Sequence, residues 1–165
     1  MDDEYLDLVD EKDKVIEKKK RSEVYKFNLS NFRVINAFVK NSKGRIWIPR
    51  RSSTKRIYPL CLDMSIGGHV KSGESYEEAL KREVKEEINV NVDQVKCKFL
   101  KKLTPKDGVS AFMIVYEIHL ENVDYNKEDF IEFFWLTPKE VLEKIKEDKA
   151  KSDLPKLISI IYLNK

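Results

Sequence analysis

The sequence predicts a mixed α+β fold in one domain over residues 1–165. Short apolar segments separated by turn residues recur along the chain and are typical of β-strands. One amphipathic helical segment lies between the strands, and two more follow the last strand. Because this order is not a regular strand–helix alternation, it favours a mixed sheet over a purely parallel one. Apolar residues make up 41% of the sequence, which suits a single hydrophobic core.

The first half of the chain is predicted to form two hairpins joined to a basic loop. The turn Asn41-Ser42-Lys43-Gly44 separates two strand-like segments, and its glycine accommodates a positive φ. A polar turn at 11–14 separates an earlier pair in the same way. The predicted segments are a hairpin of residues 6–10 and 14–20, a hairpin of residues 34–41 and 45–51, a loop over 52–62, and a segment over 62–70 in which a short strand runs into a turn rich in glycine.

The second half is predicted to open with a helix over residues 75–88. Ser75 is placed to cap this helix, and Glu78 three residues later completes a capping box. Further on, Pro138 opens a second helix, because its missing N–H costs nothing in the first turn. The remaining elements are strands over 92–103 and 110–120 joined by a turn over 104–109, a strand over 131–136, the helix from Pro138 to about Lys149, and a last helix over 154–163 capped by Asp153.

Composition and charge exclude several classes of protein. The 32 basic and 29 acidic residues leave a net charge of +3, which indicates no particular partner. No segment is long and apolar enough to cross a membrane, and the acidic start of the chain lacks the pattern of a signal peptide. Cys61 and Cys97 are predicted to be reduced packing thiols. We therefore expect a cytoplasmic protein, with the choice between monomer and homodimer left open.

The predicted helix at 75–88 carries two different stripes of side chains. One stripe is apolar and is predicted to pack on the sheet; it comprises Leu80, Val84 and Ile88. The stripe beside it consists of Glu83, Glu86 and Glu87. Like charges at these spacings cost roughly 0.2–0.5 kcal/mol per pair. Three converging carboxylates suit Mg²⁺ or Mn²⁺, which prefer oxygen ligands. An ordinary solvated acidic face is the alternative.

The residues before the helix place the acidic stripe in a longer pattern. Gly68 is followed by five residues and Glu74, then by seven residues and Arg82-Glu83-Val84, and the segment ends at Glu86-Glu87-Ile88-Asn89-Val90. This arrangement over residues 68–90 resembles the Nudix box, G-x5-E-x7-R-E-U-x-E-E-x-G-U, in which U is aliphatic. The one departure is Asn89, where the family has glycine. Because this position ends the helix and is expected to be left-handed, asparagine preserves its geometry.

The resemblance covers roughly residues 4–150. Over this range the chain is similar to the Nudix branch that also contains the type I isopentenyl-diphosphate isomerases. It implies a Nudix fold, in which a mixed sheet lies between helices as an α/β/α sandwich. It also implies a hydrolase that uses Mg²⁺ or Mn²⁺ as its cofactor. Its expected reaction is cleavage of the diphosphate linkage of a small molecule, such as a nucleoside diphosphate derivative.

The resemblance also assigns roles to the box residues. The implied metal ligands are the backbone carbonyl of Gly67 and the carboxylates of Glu83, Glu86 and Glu87. The implied catalytic residues are Arg82, Glu83 and Glu86, although family members differ in which glutamate is the base. Arg82 is expected to hold Glu83 or Glu86 by a charge-assisted hydrogen bond. Glu74 is expected either to form a salt bridge to the helix or to compensate the charge of its N-terminus.

Residues outside the box are candidates for binding the substrate. Three residues just before the strand segment Phe133–Leu136 are candidates for an additional acid, with a solvated loop residue as the alternative for each; they are Glu128, Asp129 and Glu132. A basic segment is a candidate for binding phosphate, with a solvated loop as the alternative; it comprises Arg50, Arg51, Lys55 and Arg56. His69 is expected to contact phosphate or to form a hydrogen bond within its turn. Trp47 and Tyr58 are expected in the core, with stacking on a substrate ring as the alternative.

Three other functions stay open. An isomerase is disfavoured, because Gly67 stands at the position of its catalytic cysteine. Tyr25 and Phe32 stand where two of its metal-binding histidines are expected, and Asp107 alone where two glutamates are expected.

Hydrolysis of an RNA 5′ cap or triphosphate would use the basic residues. The chain lacks the interleaved aromatic and basic residues of an RNA-binding module, so nucleic acid is not an expected partner. A non-catalytic binding module would be expected to lack box carboxylates, and all of them are present here.

Overall fold

The computed structural model describes residues 3–164, so the first two residues and the last residue of the predicted domain lie outside the described part. At its centre is a mixed six-stranded sheet with helices packed on both faces. A separate two-stranded sheet precedes it in the chain. This arrangement confirms the predicted α+β class and the α/β/α sandwich.

The elements follow the chain in the order β1–β2–α1–β3–β4–β5–α2–β6–β7–β8–α3–α4. The strands are β1 (Tyr5–Val9), β2 (Val15–Lys20), β3 (Arg33–Lys40), β4 (Ile46–Arg51), β5 (Ile66–His69), β6 (Cys97–Leu103), β7 (Phe112–His119) and β8 (Phe130–Leu136). The α-helices are α1 (Arg21–Lys26), α2 (Tyr76–Ile88), α3 (Pro138–Ile145) and α4 (Asp153–Ile158), and a π-helical turn over Ser159–Leu163 continues α4.

Strand pairing places Gly67 and Gly68 inside the sheet. They precede the loop that connects β5 to α2, which we call the box loop. The strand order is β6-β7-β3-β4-β8, and β5 pairs with β3 off this path. β3 runs parallel to β7 and antiparallel to β4 and β5. Within β5, Gly67 pairs with Asn36 and Gly68 pairs with Ile35. The glycine-rich turn predicted at this point is therefore wrong, because both glycines are strand residues and the turn follows at residues 72–73.

Alternation along β3 explains why helices cover both faces of the sheet. Ile35 and Ala37 contribute to the core under α2, whereas Phe38 contributes to the core under α3 and α4. The apolar stripe predicted for α2 is buried in the first core and comprises Leu80, Val84 and Ile88. Burial of each such side chain stabilises the fold by about 1.5–3 kcal/mol. The apolar stripe therefore fixes α2 on the sheet and leaves the carboxylate stripe at the margin of the contact.

Two element boundaries differ clearly from the sequence prediction, and one helix was not predicted. The strand predicted over 92–103 begins only at Cys97, because Val92–Gln94 forms a 3-10 turn capped by Asn91. The helix predicted to reach Lys149 ends at Ile145. Its last predicted residues instead pair with Leu62, whose N–H donates to the carbonyl of Lys149. Helix α1 was not predicted, because six residues are too few to show a helical period.

The predicted cap of the last helix is also wrong. α4 begins at Asp153 itself, and no side chain caps its N-terminus. The carboxylate of Asp153 instead accepts hydrogen bonds from the backbone N–H and the hydroxyl of Ser110. A long-range contact to the segment before β7 has therefore taken the place of the local cap.

The local signals of α2 are confirmed at both ends. Ser75 caps the helix, and Glu78 completes the predicted capping box. Asn89 ends the helix with φ 54° and ψ 39°, the predicted left-handed conformation. Its side-chain oxygen also accepts a hydrogen bond of 2.9 Å from Nζ of Lys85. The asparagine therefore preserves the backbone that glycine has in the family pattern.

Two further expectations concern membranes and thiols. Of the helices in residues 3–164, none has the length and apolar character needed to cross a membrane. Cys61 is buried, Cys97 is half-buried, and neither forms a disulfide in the described part of the chain. Trp47 is fully buried, as predicted for a core residue, whereas Tyr58 is 39% exposed.

The left-handed cap can be tested by substitution at Asn89. We expect Asn89→Ala to lower the free energy of unfolding by about 1 kcal/mol, because a Cβ without a polar group disfavours this conformation. Asn89→Gly is expected to lower it much less. Urea unfolding followed by circular dichroism measures both. Lys85→Ala is the matched control, since it removes only the exposed side-chain hydrogen bond. Equal losses for alanine and glycine would contradict the role of the backbone.

Candidate active site

Helix α2 and strand β5 together form the framework of the candidate site. α2 packs over β5 and β3 through its apolar stripe. The carboxylate stripe beside it is graded in exposure, with the side chain of Glu83 only 13% exposed and that of Glu86 56% exposed. The site therefore has a buried end at Glu83 and an open end at Glu86.

Glycine at position 68 is required by the close approach of Glu83. A Cβ atom built on Gly68 would lie 2.2 Å from Cδ of Glu83, far inside van der Waals contact. At Gly67 a Cβ would lie 2.8 Å from Oδ1 of Asn36. Gly68 thus allows the side chain of Glu83 to lie against β5, and Gly67 leaves room for the side chain of Asn36 on β3. This arrangement brings Gly68 and Glu83 together.

Arg82 connects the box loop, strand β5 and helix α2. Its Nε and Nη2 donate to the two carboxylate oxygens of Glu74 at 2.8 and 2.9 Å, the predicted salt bridge. Its Nη2 also donates to the carbonyl of His69 at 2.9 Å. Its Nη1 donates to Oε1 of Glu83 at 2.6 Å and lies 3.7 Å from Oε2 of Glu86. The guanidinium therefore contacts both glutamates that the sequence offered as its partners.

The charge state of Glu74 follows from these contacts. Burial disfavours its ionised form, but hydrogen bonds from Arg82 and from the N–H of Lys71 outweigh burial and lower the pKa of Glu74. The same contacts raise the pKa of Arg82, chiefly through the hydrogen bond to Glu74. The pair is therefore ionised over the whole physiological range, and Arg82 keeps a fixed positive charge beside the glutamates.

Two glutamates of the stripe are held in unfavourable surroundings for a negative charge. Burial raises the pKa of Glu83, and the neighbouring Arg82 offsets only part of this effect. Burial raises the pKa of Glu87 well above 4.5, and the nearby charges of Glu83, Asp63 and Asp129 raise it further. Sites of this kind are enriched in catalytic and metal-binding groups. A cation among these carboxylates would relieve both the burial and the repulsion.

The donor set of the site fits a hard divalent cation. Carboxylate and carbonyl oxygens are the ligands that Mg²⁺ and Mn²⁺ prefer, and Glu83, Glu86, Glu87 and the carbonyl of Gly67 supply only oxygen. The side chains are not already closed into a cage, since in residues 3–164 no three His, Cys, Asp or Glu side chains form a metal-binding group. Glu86 is the exposed member of the set, so its side chain is free to turn towards a ligand.

The structure adds Asp63 to the charges around the site. Asp63 is 3% exposed and accepts from Nη1 of Arg51 at 2.9 Å, while its Oδ1 lies 3.6 Å from Nζ of Lys151. Its Oδ1 has no hydrogen-bond partner among the described residues. Sequence reasoning missed this residue. The sequence contains one feature that could have indicated a buried acid here. Asp63 is the single charged residue in the apolar run Leu60-Cys61-Leu62-Asp63-Met64.

Of the three acids expected before the last strand, Asp129 is the one that influences Glu87. The loop that carries it is anchored on α2, because the N–H of Asn126 donates to the carbonyl of Glu87 at 2.8 Å. Glu128 is exposed, and Glu132 forms an ion pair with Arg50. The loop before β8 therefore brings Asp129 rather than Glu128 towards the buried end of the site.

The basic segment is largely occupied by contacts within the fold. Arg50 donates to both carboxylate oxygens of Asp148 at 2.9 and 2.8 Å, to Glu132 and to a backbone carbonyl. Arg51 donates to Asp63 and to the carbonyls of Ile57 and Tyr58. Lys55 pairs with Asp129 at 2.5 Å, and Arg56 is exposed. These contacts pin the loop over 52–62, and they leave Arg56 as the exposed cation of the four predicted phosphate contacts.

His69 is placed beside aromatic rings rather than beside other metal-ligand side chains. Its Nε2 lies 2.6 Å from the hydroxyl of Tyr25, and its ring stacks on Phe32 with centroids 5.7 Å apart. Burial lowers the pKa of His69 to about 3, helped by the charges of Arg21, Lys151 and Arg82. The imidazole is therefore neutral. Its partner is Tyr25 on α1 rather than a group within the predicted turn, which corrects that part of the prediction.

The isomerase-like positions have structural roles here. Tyr25 and Phe32, which stand where histidines would be expected, form one aromatic cluster with His69. Asp107 accepts a hydrogen bond from the N–H of Thr104 and caps a short 3-10 turn. These residues supply packing and a cap in place of the isomerase metal ligands.

Comparison with known proteins places this arrangement in a family. A model of the NUDIX domain matches residues 31–157. A protein of Nostoc sp., named as an uncharacterized Nudix hydrolase, is 58% identical over 164 residues, which cover 98% of this chain and 97% of that protein. A Nudix hydrolase of Deinococcus radiodurans is 42% identical over 163 residues, which cover 97% of this chain and 95% of that protein.

Solved structures lead to the same class. The crystal structure of DR0079 from Deinococcus radiodurans has a TM-score of 0.91 and 41% identity, covering 96% of this chain and 99% of that one. A MutT protein from Methanosarcina mazei Go1 shares the fold, with a TM-score of 0.58 and 19% identity over 78% of this chain and 91% of that one. The fold and the carboxylate stripe on α2 thus define a MutT-like α/β/α protein. The chain belongs to the Nudix family, and it is a Nudix hydrolase, an enzyme that acts on pyrophosphate bonds.

The raised pKa of Glu87 predicts a gain in stability when its charge is removed. Its ionisation destabilises the folded protein, and this penalty is absent below pH 4.5 and grows as the pH rises through the folded-state pKa. Each unit of pKa shift corresponds to about 1.4 kcal/mol. We therefore expect Glu87→Gln to raise the free energy of unfolding at pH 8 in EDTA, by an amount that shrinks towards pH 4.5.

Urea unfolding of both proteins between pH 4.5 and pH 8 measures this difference. Glu86→Gln is the matched control, because its side chain is 56% exposed and its neutralisation removes little burial penalty. A Glu87→Gln variant that is less stable than the wild type at pH 8 would contradict the prediction.

Proposed function

We propose that the protein is a Mg²⁺- or Mn²⁺-dependent diphosphohydrolase whose substrate is a small molecule, in particular a nucleoside diphosphate derivative. The observation that carries this proposal is the set of box carboxylates on α2, Glu83, Glu86 and Glu87, with Glu83 lying against Gly68 and with Arg82 bonded to Glu83 and close to Glu86. A binding module without activity is disfavoured because none of these carboxylates is replaced. Reduced Cys61 and Cys97 support a cytoplasmic location.

In this proposal each residue of the site has a separate role. A divalent cation, when bound, neutralises the diphosphate and polarises its phosphorus. Arg82 keeps one oxygen of Glu83 in a fixed direction, so that the other is available to a ligand or to the attacking water. Glu86 lies at the open end of the site, so its carboxylate is the one that faces the bound substrate in this proposal. Partial burial of Glu83 and Glu87 raises the pKa of each, so a cation bound there would stabilise their ionised forms.

The contacts with the rest of the substrate are a separate part of the proposal. Phosphate groups require cations or N–H donors, and Arg56 is exposed on the loop that Arg50 and Arg51 pin in place. We therefore assign Arg56 to the substrate and Arg50 and Arg51 to the positioning of the loop that carries it. Names of the related proteins give no substrate that could be carried over.

Loss of the carboxylate of Glu86 or of Glu87 should remove most of the activity without unfolding the protein. We expect Glu86→Gln and Glu87→Gln each to lower the metal-dependent rate by roughly 100-fold or more, because even outer partners of a metal site are worth about 10–100-fold. Phosphate release from a panel of diphosphate compounds, with Mg²⁺, Mn²⁺ or EDTA, provides the measurement. The panel comprises nucleoside di- and triphosphates, nucleotide sugars, dinucleoside polyphosphates, ADP-ribose, dinucleotide cofactors, prenyl diphosphates and capped RNA.

Glu77→Gln is the control, since Glu77 is exposed in the first turn of the same helix and lies outside the carboxylate stripe. Turnover that persists in EDTA, or that survives in both ligand variants, would overturn the proposal. Activity on capped RNA alone would assign the enzyme to RNA 5′ ends in place of small molecules.

A further inference from the structure

The two-stranded sheet at the start of the chain lies against the box loop. β1 and β2 pair with each other and stand apart from the six-stranded sheet. Both precede residue 31, where the match to the family begins. Leu6 nevertheless forms an antiparallel bridge with Lys71, and the N–H of Ser72 donates to the carbonyl of Tyr5 at 2.8 Å. The hairpin is therefore joined to the loop that leads to Glu74.

Asp7 binds the hairpin to the box loop through its side chain. The residue is 8% exposed. Its Oδ1 accepts from the hydroxyl of Ser72 at 2.7 Å, and its Oδ2 accepts from the N–H of Gly73 at 3.0 Å. Gly73 has φ +86°, a backbone conformation that side chains disfavour. The buried carboxylate thus holds two consecutive residues of a tight turn by two charge-assisted hydrogen bonds.

A continuous series of hydrogen bonds leads from this turn to the carboxylate stripe. Gly73 is followed directly by Glu74, whose Oε1 accepts from the N–H of Lys71 at 2.8 Å. Glu74 binds Arg82 through both oxygens, and Arg82 binds Glu83. A shift of the turn would therefore move Glu74, release the guanidinium and alter the direction of the Glu83 carboxylate.

A second contact fixes the hairpin to the start of α2. Asp13, in the hairpin turn, accepts from the hydroxyl of Tyr76 at 2.7 Å and from Nε of Arg33 at 2.7 Å. Nζ of Lys102 lies 2.7 Å from the same carboxylate. Leu6 and Leu8 are buried in a small core with Val24, Phe32 and Ala111. The hairpin is thus anchored to the sheet, which makes it a rigid support for the loop.

We propose that Asp7 is a positioning residue for the metal site, acting through the turn at Ser72 and Gly73. It touches neither substrate nor metal, and it sets the affinity of the box carboxylates for a divalent cation by fixing Glu74 and Arg82. This inference rests on the proposed function, since it concerns the same metal site.

The test measures binding of Mn²⁺ alone by the loss of the free-ion signal in electron paramagnetic resonance, which does not depend on turnover. We expect Asp7→Ala to weaken Mn²⁺ binding about tenfold, the usual effect of losing an outer partner of a metal site. Asp7→Asn is expected to stay close to the wild type, because its amide can accept from Gly73 and donate to the hydroxyl of Ser72.

Activity gives a second readout that a purely structural role would not produce. With Asp7→Ala, the rate should fall about tenfold at limiting Mn²⁺ and recover at saturating Mn²⁺, with kcat close to that of the wild type. Asp10→Ala is the matched control, because Asp10 lies in the same hairpin and its carboxylate accepts from the N–H groups of Lys12 and Lys14 within the hairpin turn. Ser72→Ala removes one of the two hydrogen bonds from the loop side, and it replaces Asp7→Ala if that variant does not fold.

The outcomes are distinct. Wild-type Mn²⁺ affinity in Asp7→Ala, or in Ser72→Ala where that variant is used, would overturn the inference and leave the proposed function intact. Equal weakening in Asp10→Ala would also overturn it, because general loosening of the hairpin would then be the cause. A wild-type protein that binds no Mn²⁺ would overturn both this inference and the proposed function.

Discussion

The guanidinium of Arg82 is the contact on which the arrangement of the site depends. It joins three segments that are separate in the chain, since it binds Glu74 in the loop, the carbonyl of His69 in β5 and Glu83 on its own helix. Arginine offers donors on three nitrogens in a fixed plane for these acceptors, whereas the three N–H donors of lysine lie on a single nitrogen. Without this contact, the direction of Glu83 and the path of the box loop would be set independently of each other.

The same contact allows the fold to retain carboxylates in positions that oppose their charge. Burial and mutual repulsion raise the pKa values of Glu83 and Glu87, which means that their ionised forms weaken the apo fold. The buried apolar stripe of α2 on the sheet and the capped helix ends supply the stability that offsets this penalty. Under the proposed function, activity and stability would therefore make opposing demands on one helix, with the carboxylate stripe serving activity and the apolar stripe serving stability.

What the sequence predicted correctly was local, and most of what it missed was long-range. The capping box, the left-handed Asn89 and both hairpins follow from residues a few positions apart, and all are present. The placement of the glycines in β5, the role of Asp153 and the end of α3 depend on partners far along the chain, namely β3, Ser110 and Leu62. Such pairings override local signals, and no local pattern identifies them.

The basic segment shows why this limit matters for function. In the sequence, Arg50, Arg51, Lys55 and Arg56 form one positive cluster, and each is an equal candidate for phosphate. In the fold, acids from three distant places, Asp63, Asp129 and Asp148, neutralise the first three. Charge that is counted along a sequence therefore overstates the charge available to a ligand. Since Arg50, Arg51 and Lys55 are paired within the fold, Arg56 is the member of the segment that the proposed function assigns to the substrate.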